Sequence, residues 1–187
     1  MTKLFKPSRR QFLRYSTGIA LAGASAPFAS GAFASPTQAY SLSLDNIHTR
    51  ERVSLVYSIA DQYIPAALDR LNHFLRDHYS GIVGKMDPQL FDVLHRITLS
   101  LKTRQSFQVI SGYRCTTTND RLRSTRGGGV ARHSLHMDGK AIDIRMPGVP
   151  LAKLHDAALS LKAGGVGFYA RDQFVHVDTG RVRSWSG

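Results

Sequence analysis

Disulfide bonding within the chain and cysteine-built zinc knuckles are excluded at the outset, because the 187 residues include one cysteine, Cys115. Any bound metal must therefore rest mainly on histidine and carboxylate ligands. Acidic residues are also scarce, with 13 Asp and Glu against 25 Lys and Arg, for a formal charge of +12. Lys3, Lys6, Arg9, Arg10 and Arg14 supply five of those charges before residue 35, where there is no acid, and leave +7 on the remainder. Such a balance suits a polyanionic partner: nucleic acid, anionic lipid or an acidic cell-wall polymer. Charge by itself does not choose among them, but the chain lacks the aromatic–basic stripe of a nucleic-acid binder. An unbroken apolar run of membrane-spanning length is missing too. The best approach to one, Thr17 to about Phe33, is interrupted by Gly18, Gly23, Pro27 and Gly31.

What the N-terminus does have is an address. Ser8-Arg9-Arg10-Gln11-Phe12-Leu13 is a twin-arginine export signature, followed by the weakly apolar stretch and by Ala32-Phe33-Ala34. Small residues in that last pattern suit signal peptidase, with cleavage before Ser35. Residues 1–34 are thus expected to be a cleaved signal peptide, with the mature protein in the periplasm and no stable membrane insertion. Residues 35–50, rich in Ser, Thr, Pro and Asn, are expected to be a flexible lead-in. Residues 51–187 are expected to form a single domain, with the protein a monomer. Hydrophobic content of 42% is enough for a packed core.

Periodicity divides that domain. Arg52 to Ile59 alternates like a short strand, and Ile64 to Tyr79 repeats like a helix through Leu68, Leu71, Phe74 and Leu75. Asp87-Pro88 is an N-cap and first-turn pair that opens a second helix reaching about Thr103. Phe107 to Ile110 predicts a strand, and Asn119 to Ser124 a short helix. Gly127-Gly128-Gly129 predicts a mobile loop. Ala141 to Met146 predicts a strand and Leu151 to Lys162 an amphipathic helix. Val166 to Tyr169 and Gln173 to Thr179 predict a hairpin. The expected architecture is α+β, with N-terminal helices packed on a small antiparallel sheet.

Chemistry concentrates in that sheet. Ser134-Leu135-His136-Met137-Asp138-Gly139-Lys140-Ala141-Ile142-Asp143 sets a histidine and an aspartate seven residues apart, and Phe174-Val175-His176-Val177-Asp178 adds a second histidine. Side chains alternate along a strand, so Ile142 and Ile144 share one face and Asp143 takes the other. By the same parity Val175 and Val177 oppose Phe174, His176 and Asp178. Asp143 and His176 therefore leave the sheet on its non-aliphatic face, and a turn at Gly139 can bring His136 alongside. Two imidazoles and one carboxylate leave a fourth zinc position for water, the arrangement of a hydrolytic site.

These residues carry a family resemblance. Ser-x-His-x-x-Gly-x-Ala-x-Asp from Ser134, the upstream Ser111-Gly112-Tyr113-Arg114 and the late strand histidine resemble the LAS zinc metallopeptidases. That group includes D-Ala-D-Ala carboxypeptidases, murein endopeptidases and the hedgehog-like fold. The match runs from about Phe107 to Trp185, and the segments Gly165 to Tyr169 and Phe174 to Trp185 look like those of exported murein endopeptidases. The resemblance implies one zinc ion on His136, Asp143 and His176. It implies that Arg114 binds a substrate carboxylate or carbonyl oxygen, and that the partner is peptidoglycan. The positive charge of Arg114, with Arg121, Arg123 and Arg126 nearby, would suit the carboxylates of stem peptides. Many relatives also carry a catalytic Glu three residues before the last ligand or a His two before it. Here those positions hold Gln173 and Phe174, and neither can serve as a base.

The proton acceptor must then lie elsewhere. Asp178 shares a face with His176 and is the first candidate, as base or as a partner that orients the imidazole. His133 is the second. His48, His73, His78, His95 and His155 are read as structural or solvent-exposed. The leading expectation is a murein endopeptidase that cuts peptide cross-links containing meso-diaminopimelate. The alternatives are a D,D- or L,D-carboxypeptidase, which needs a closed pocket rather than a groove, and a non-catalytic wall-binding protein that keeps the zinc fold.

Overall fold

A computed structural model describes residues 38–125 and 130–187. The expected signal peptide with its cleavage site, and the glycine run from Gly127, lie outside the described residues. Among the described residues the architecture is one eight-stranded sheet with four helices. In chain order the elements are β1 (Ala39–Asn46), β2 (Arg52–Ile59), β3 (Gln62–Tyr63), α1 (Pro65–Phe74), α2 (Pro88–Ser100), β4 (Phe107–Ser111), α3 (Thr116–Thr125), β5 (Ala141–Arg145), α4 (Leu151–Ser160), β6 (Gly165–Tyr169), β7 (Phe174–Asp178) and β8 (Arg183–Ser186). Across the sheet the order is β3-β2-β1-β4-β5-β7-β6-β8. Two pairings, β1 with β4 and β6 with β8, are parallel.

This corrects the expected sheet. Among the described residues three strands precede the first helix, and the sheet is eight-stranded and mixed rather than small and antiparallel. The lead-in expected over residues 35–50 instead contains β1, whose Leu42, Leu44 and Asn46 are buried on one parity. Its intervening Ser41, Ser43 and Asp45 occupy the other parity, so a Ser-rich composition disguised a period-two strand. β8 escaped because its partner β6 lies well upstream, and parallel pairing leaves no turn signal between partners.

The helices end where local chemistry stops them. α1 stops at Phe74, short of Tyr79, because the Asp77 carboxylate takes over the backbone that follows. Its Oδ1 accepts the amides of Tyr79 and Ser80, at 2.9 and 3.4 Å, and closes a tight turn. α2 begins as its sequence demands, with Pro88 in the first turn and Asp87 accepting the Gln89 amide at 3.0 Å. It ends at Ser100, and Lys102 then turns left-handed with φ 50°. α3 runs longer than expected, and its Asn119 is fully buried, donating to the carbonyls of Ala131 and Arg132.

The core lies on the helix-covered face of the sheet. α2 packs on β1 and α4, and α4 packs on β6 and β7. Ile142, Ile144, Val175 and Val177 point into this core and are at most 1% exposed. Full burial of each such side chain contributes about 1.5–3 kcal/mol. That aliphatic face fixes which side chains β5 and β7 must turn the other way.

Candidate metal centre

β5 and β7 pair antiparallel with Asp143 directly opposite His176. Burying Ile142, Ile144, Val175 and Val177 on one face therefore delivers a carboxylate and an imidazole side by side on the other. His176 Nδ1 lies 2.8 Å from Asp143 Oδ1. β4 also borders β5, and its last residue, Ser111, pairs with Asp143.

His136 reaches the same point from a loop. The Ser134–Gly139 segment closes on itself through the Met137 amide to the Ser134 carbonyl and the Gly139 amide to the His136 carbonyl. Gly139 adopts φ 68°, and a Cβ there would collide with the Lys85 carbonyl oxygen, so the turn requires glycine. Two bonds stitch this turn to Ser111-Gly112-Tyr113-Arg114. The Arg114 amide donates to the His136 carbonyl at 3.2 Å, and His136 Nδ1 donates to the Gly112 carbonyl at 2.7 Å. The two sequence motifs are thus one physical unit.

That second bond fixes the tautomer. A carbonyl oxygen only accepts, so His136 Nδ1 carries the hydrogen and Nε2 keeps its lone pair. Nε2 sits 3.3 Å from His176 Nδ1 and 3.4 Å from Asp143 Oδ2. One ligand atom from each of His136, Asp143 and His176 lies within 4.8 Å of the other two. Among the described residues this is the one group of three or more His, Cys, Asp or Glu side chains so placed.

Electrostatics bind the trio together. Burial, with help from the His176 and Arg114 charges, pushes His136 below its ordinary pKa against the pull of Asp143. Burial would raise Asp143, but His136 and His176 outweigh it and hold the carboxyl well below the usual range. Burial likewise opposes a charge on His176, yet hydrogen bonds to Asp143 and Asp178 prevail and lift it to about 9.

Asp178 stands behind His176 rather than beside the convergence point. It is fully buried, and its Oδ2 lies 3.2 Å from His176 Nε2. Its Oδ1 accepts the amides of Gly165 and Gly180 at 2.9 and 2.8 Å, and Arg183 grips both oxygens at 3.1 and 2.7 Å. Burial alone would raise its pKa, but these bonds outweigh it and hold the carboxyl far below the usual range. Both of its oxygens are thus engaged, by the His176 ring, the Arg183 guanidinium and two backbone amides.

A cleft of about 300 Å³ opens over the trio. Arg114 enters it with its side chain 12% exposed, its Nη2 3.3 Å from Ser111 Oγ and 3.9 Å from Asp143 Oδ2. His133 lines the rim, its Nε2 3.0 Å from Asp138 Oδ2. Gln173 lies in the β6–β7 turn with a left-handed backbone, φ 57°, which is why β7 starts one residue later than expected. Phe174 is buried and stacks on Tyr169.

The family model described as "Peptidoglycan L,D-endopeptidase MepK" matches residues 34–185. The chain belongs to this family. It is 42% identical over 181 residues to the peptidoglycan L,D-endopeptidase MepK of Escherichia coli K12, covering 97% of this chain and 98% of that protein. The Shigella flexneri protein of the same name gives the same figures. A Haemophilus influenzae protein named "probable peptidoglycan L,D-endopeptidase MepK" is 43% identical over 171 residues, 91% of each chain. No solved structure matches the chain significantly.

In this member of the MepK family, the cleft wall includes residues that sequence reasoning did not assign. The chain's single tryptophan, Trp185 on β8, lies 5.2 Å from the His176 ring and donates its indole N–H to the Tyr169 hydroxyl at 2.9 Å. Its position requires glycine at the paired residue Gly167, where a Cβ would sit 2.6 Å from the indole. Arg183 covers the outer indole face at 4.8 Å while gripping Asp178. Arg-x-Trp was visible in sequence, but only the parallel β6–β8 pairing brings it to the site. Arg121 and Arg123 do not line the cleft: one lies over Tyr79, the other pairs with Asp120. Arg126 lies outside the described residues.

Proposed function

We propose that this chain is a zinc-dependent peptidoglycan L,D-endopeptidase that hydrolyses peptide cross-links between stem peptides. The observation that carries the reading is the convergence of His136 Nε2, His176 Nδ1 and an Asp143 oxygen at the floor of an open cleft. Near-full-length similarity to proteins named for that activity supports it. The donor set fits zinc by its chemistry, with two imidazole nitrogens and one carboxylate oxygen. Each imidazole also has its far nitrogen engaged, His136 by the Gly112 carbonyl and His176 by Asp178, which aims the near nitrogens at one point. When bound, zinc supplies Lewis acidity toward a carbonyl and a more acidic water.

The protein's own groups do the rest. Asp178 keeps the His176 ring oriented, and Arg183 keeps Asp178 ionised. Arg114, a permanent cation at the cleft floor, holds a substrate carboxylate or the carbonyl oxygen on which charge develops. Trp185, Tyr169 and Phe174 make an apolar wall that positions the peptide and limits water.

We further propose periplasmic action after twin-arginine export. The sequence from Ser8 to Ala34 supports it, and no helix among the described residues is long and apolar enough to cross a membrane.

Digestion of purified sacculi, with and without chelator, followed by muropeptide chromatography tests the reading. Loss of cross-linked dimers in the zinc-loaded arm alone is expected. Unchanged dimers would instead favour a wall-binding protein without catalysis, and release of terminal residues from monomers a carboxypeptidase.

A further inference from the structure

The endopeptidase reading leaves one part without an owner: the group that moves the proton. The ionisable side chains around the cleft are few. Arg114 and Arg183 are permanent cations and take no proton. His136, Asp143 and His176 face one another. The Tyr169 hydroxyl receives the Trp185 indole hydrogen. Behind them, both Asp178 oxygens are held by Arg183.

His133 differs from all of these. Its Nε2 lies 3.0 Å from Asp138 Oδ2, an atom that only accepts when ionised, so Nε2 carries the hydrogen. Nδ1 then keeps an open lone pair, and it has no hydrogen-bond partner among the described residues. The side chain is 70% exposed to solvent where it lines the cleft. Asp138 is not a loose surface carboxylate: its amide donates to the Leu135 carbonyl, inside the turn that holds His136. One turn thus sets both a candidate metal ligand and the partner that orients His133.

We propose that His133, oriented by Asp138, is the catalytic acid–base group of this cleft; the proposal rests on the peptidase reading above. His133 Nδ1 accepts a proton from water as the water oxygen bonds to the scissile carbonyl carbon. The imidazolium returns that proton to the amide nitrogen as the carbon–nitrogen bond breaks. The second water proton leaves with the new carboxyl group, which ionises into solvent. One water is added across one amide, and nothing is oxidised or reduced. Imidazole suits both halves of this exchange because its ordinary ionisation falls nearest neutrality.

The test compares wild type, His133→Ala and Asp138→Asn on purified cross-linked muropeptides, with bound zinc measured for each. His133→Ala is expected to lower kcat by about 10²–10⁴-fold. Its KM, zinc content and melting temperature should stay at wild-type values, and added free imidazole should restore part of the rate. Nitrogen-15 NMR of the zinc-free protein should show the Nε2–H tautomer at His133, and Asp138→Asn, which keeps only a neutral acceptor, should weaken that preference. An exposed ion pair with no role in the reaction would move none of these except the tautomer. A His133→Ala rate within about twofold of an active wild type overturns the proposal alone. So does a loss of rate that tracks lost zinc, or an Nδ1–H tautomer. An inactive wild type overturns the peptidase reading, and this proposal with it.

Discussion

Asp143 and His176 occupy paired positions across β5 and β7, and their side chains meet at 2.8 Å on the face turned away from the aliphatic core. The site is thus a by-product of core packing, and its electrostatics can be tested through pH. In the zinc-free protein His176 is lifted to about 9, against about 6.5 for an ordinary histidine. A raised value means that its protonated form stabilises the fold. That contribution is fully present below about pH 6.5 and is lost as pH rises through about 9. Zinc competes with the same proton, so the gain in melting temperature on adding zinc should grow between pH 6.5 and 9. Thermal scans with and without zinc across that range check this, and a gain that shrinks with pH would contradict it.

Asp178→Asn should separate orientation from proton transfer. The amide cannot hold the His176 N–H as a carboxylate does, and it strands Arg183. Zinc affinity should fall by about 10–100-fold, the usual cost of losing such a partner. Competition with a fluorescent chelator measures it. If saturating zinc restores the wild-type kcat, Asp178 acts through His176. A variant with normal affinity and no turnover would return Asp178 to the role of base.

Acid should loosen the molecule at a second point. Burial works to raise Asp77, but bonds from Thr118, Cys115 and Tyr79 outweigh it and bring the carboxyl to about 2. A lowered value contributes stability that is present above the ordinary range near pH 4 and is lost as pH falls to about 2. Asp77→Asn should flatten the stability profile across that window and cost about 1–3 kcal/mol at neutral pH. Urea unfolding at several pH values supplies both numbers; an unchanged slope would remove Asp77 from the account.

Gly167→Ala should injure the cleft wall and spare the metal. The added methyl would displace the Trp185 indole, and with it the hydrogen bond to Tyr169. Zinc content should stay at wild type, while kcat/KM on cross-linked muropeptides should fall by about tenfold or more through misplaced substrate. Unaltered kinetics would show that the indole plays no part in substrate positioning.

Much of the trio's position was legible because β5 and β7 are short, aliphatic and strictly alternating. Ile142-Asp143-Ile144 and Val175-His176-Val177 admit one arrangement once a core is required. Asp87-Pro88 announced α2 by the same local logic. β1 was hidden because serine alternating with leucine scores weakly for any element. β8 and the Arg183 grip on Asp178 were hidden for a different reason: they arise from pairing between distant segments. Gln173 was misplaced because a left-handed backbone at a non-glycine residue has no strong signal in sequence.

The direct opposition of Asp143 and His176 also makes the sheet its own inspector. A strand shifted by one position would turn one of these polar side chains into the apolar layer and an isoleucine or valine out toward the cleft. Such a misregistered molecule could not assemble the trio at all. Metal retention should therefore be a stringent report of correct strand pairing. If the proposed export in the folded state holds, metal retention would also test strand pairing before the protein leaves the cytoplasm.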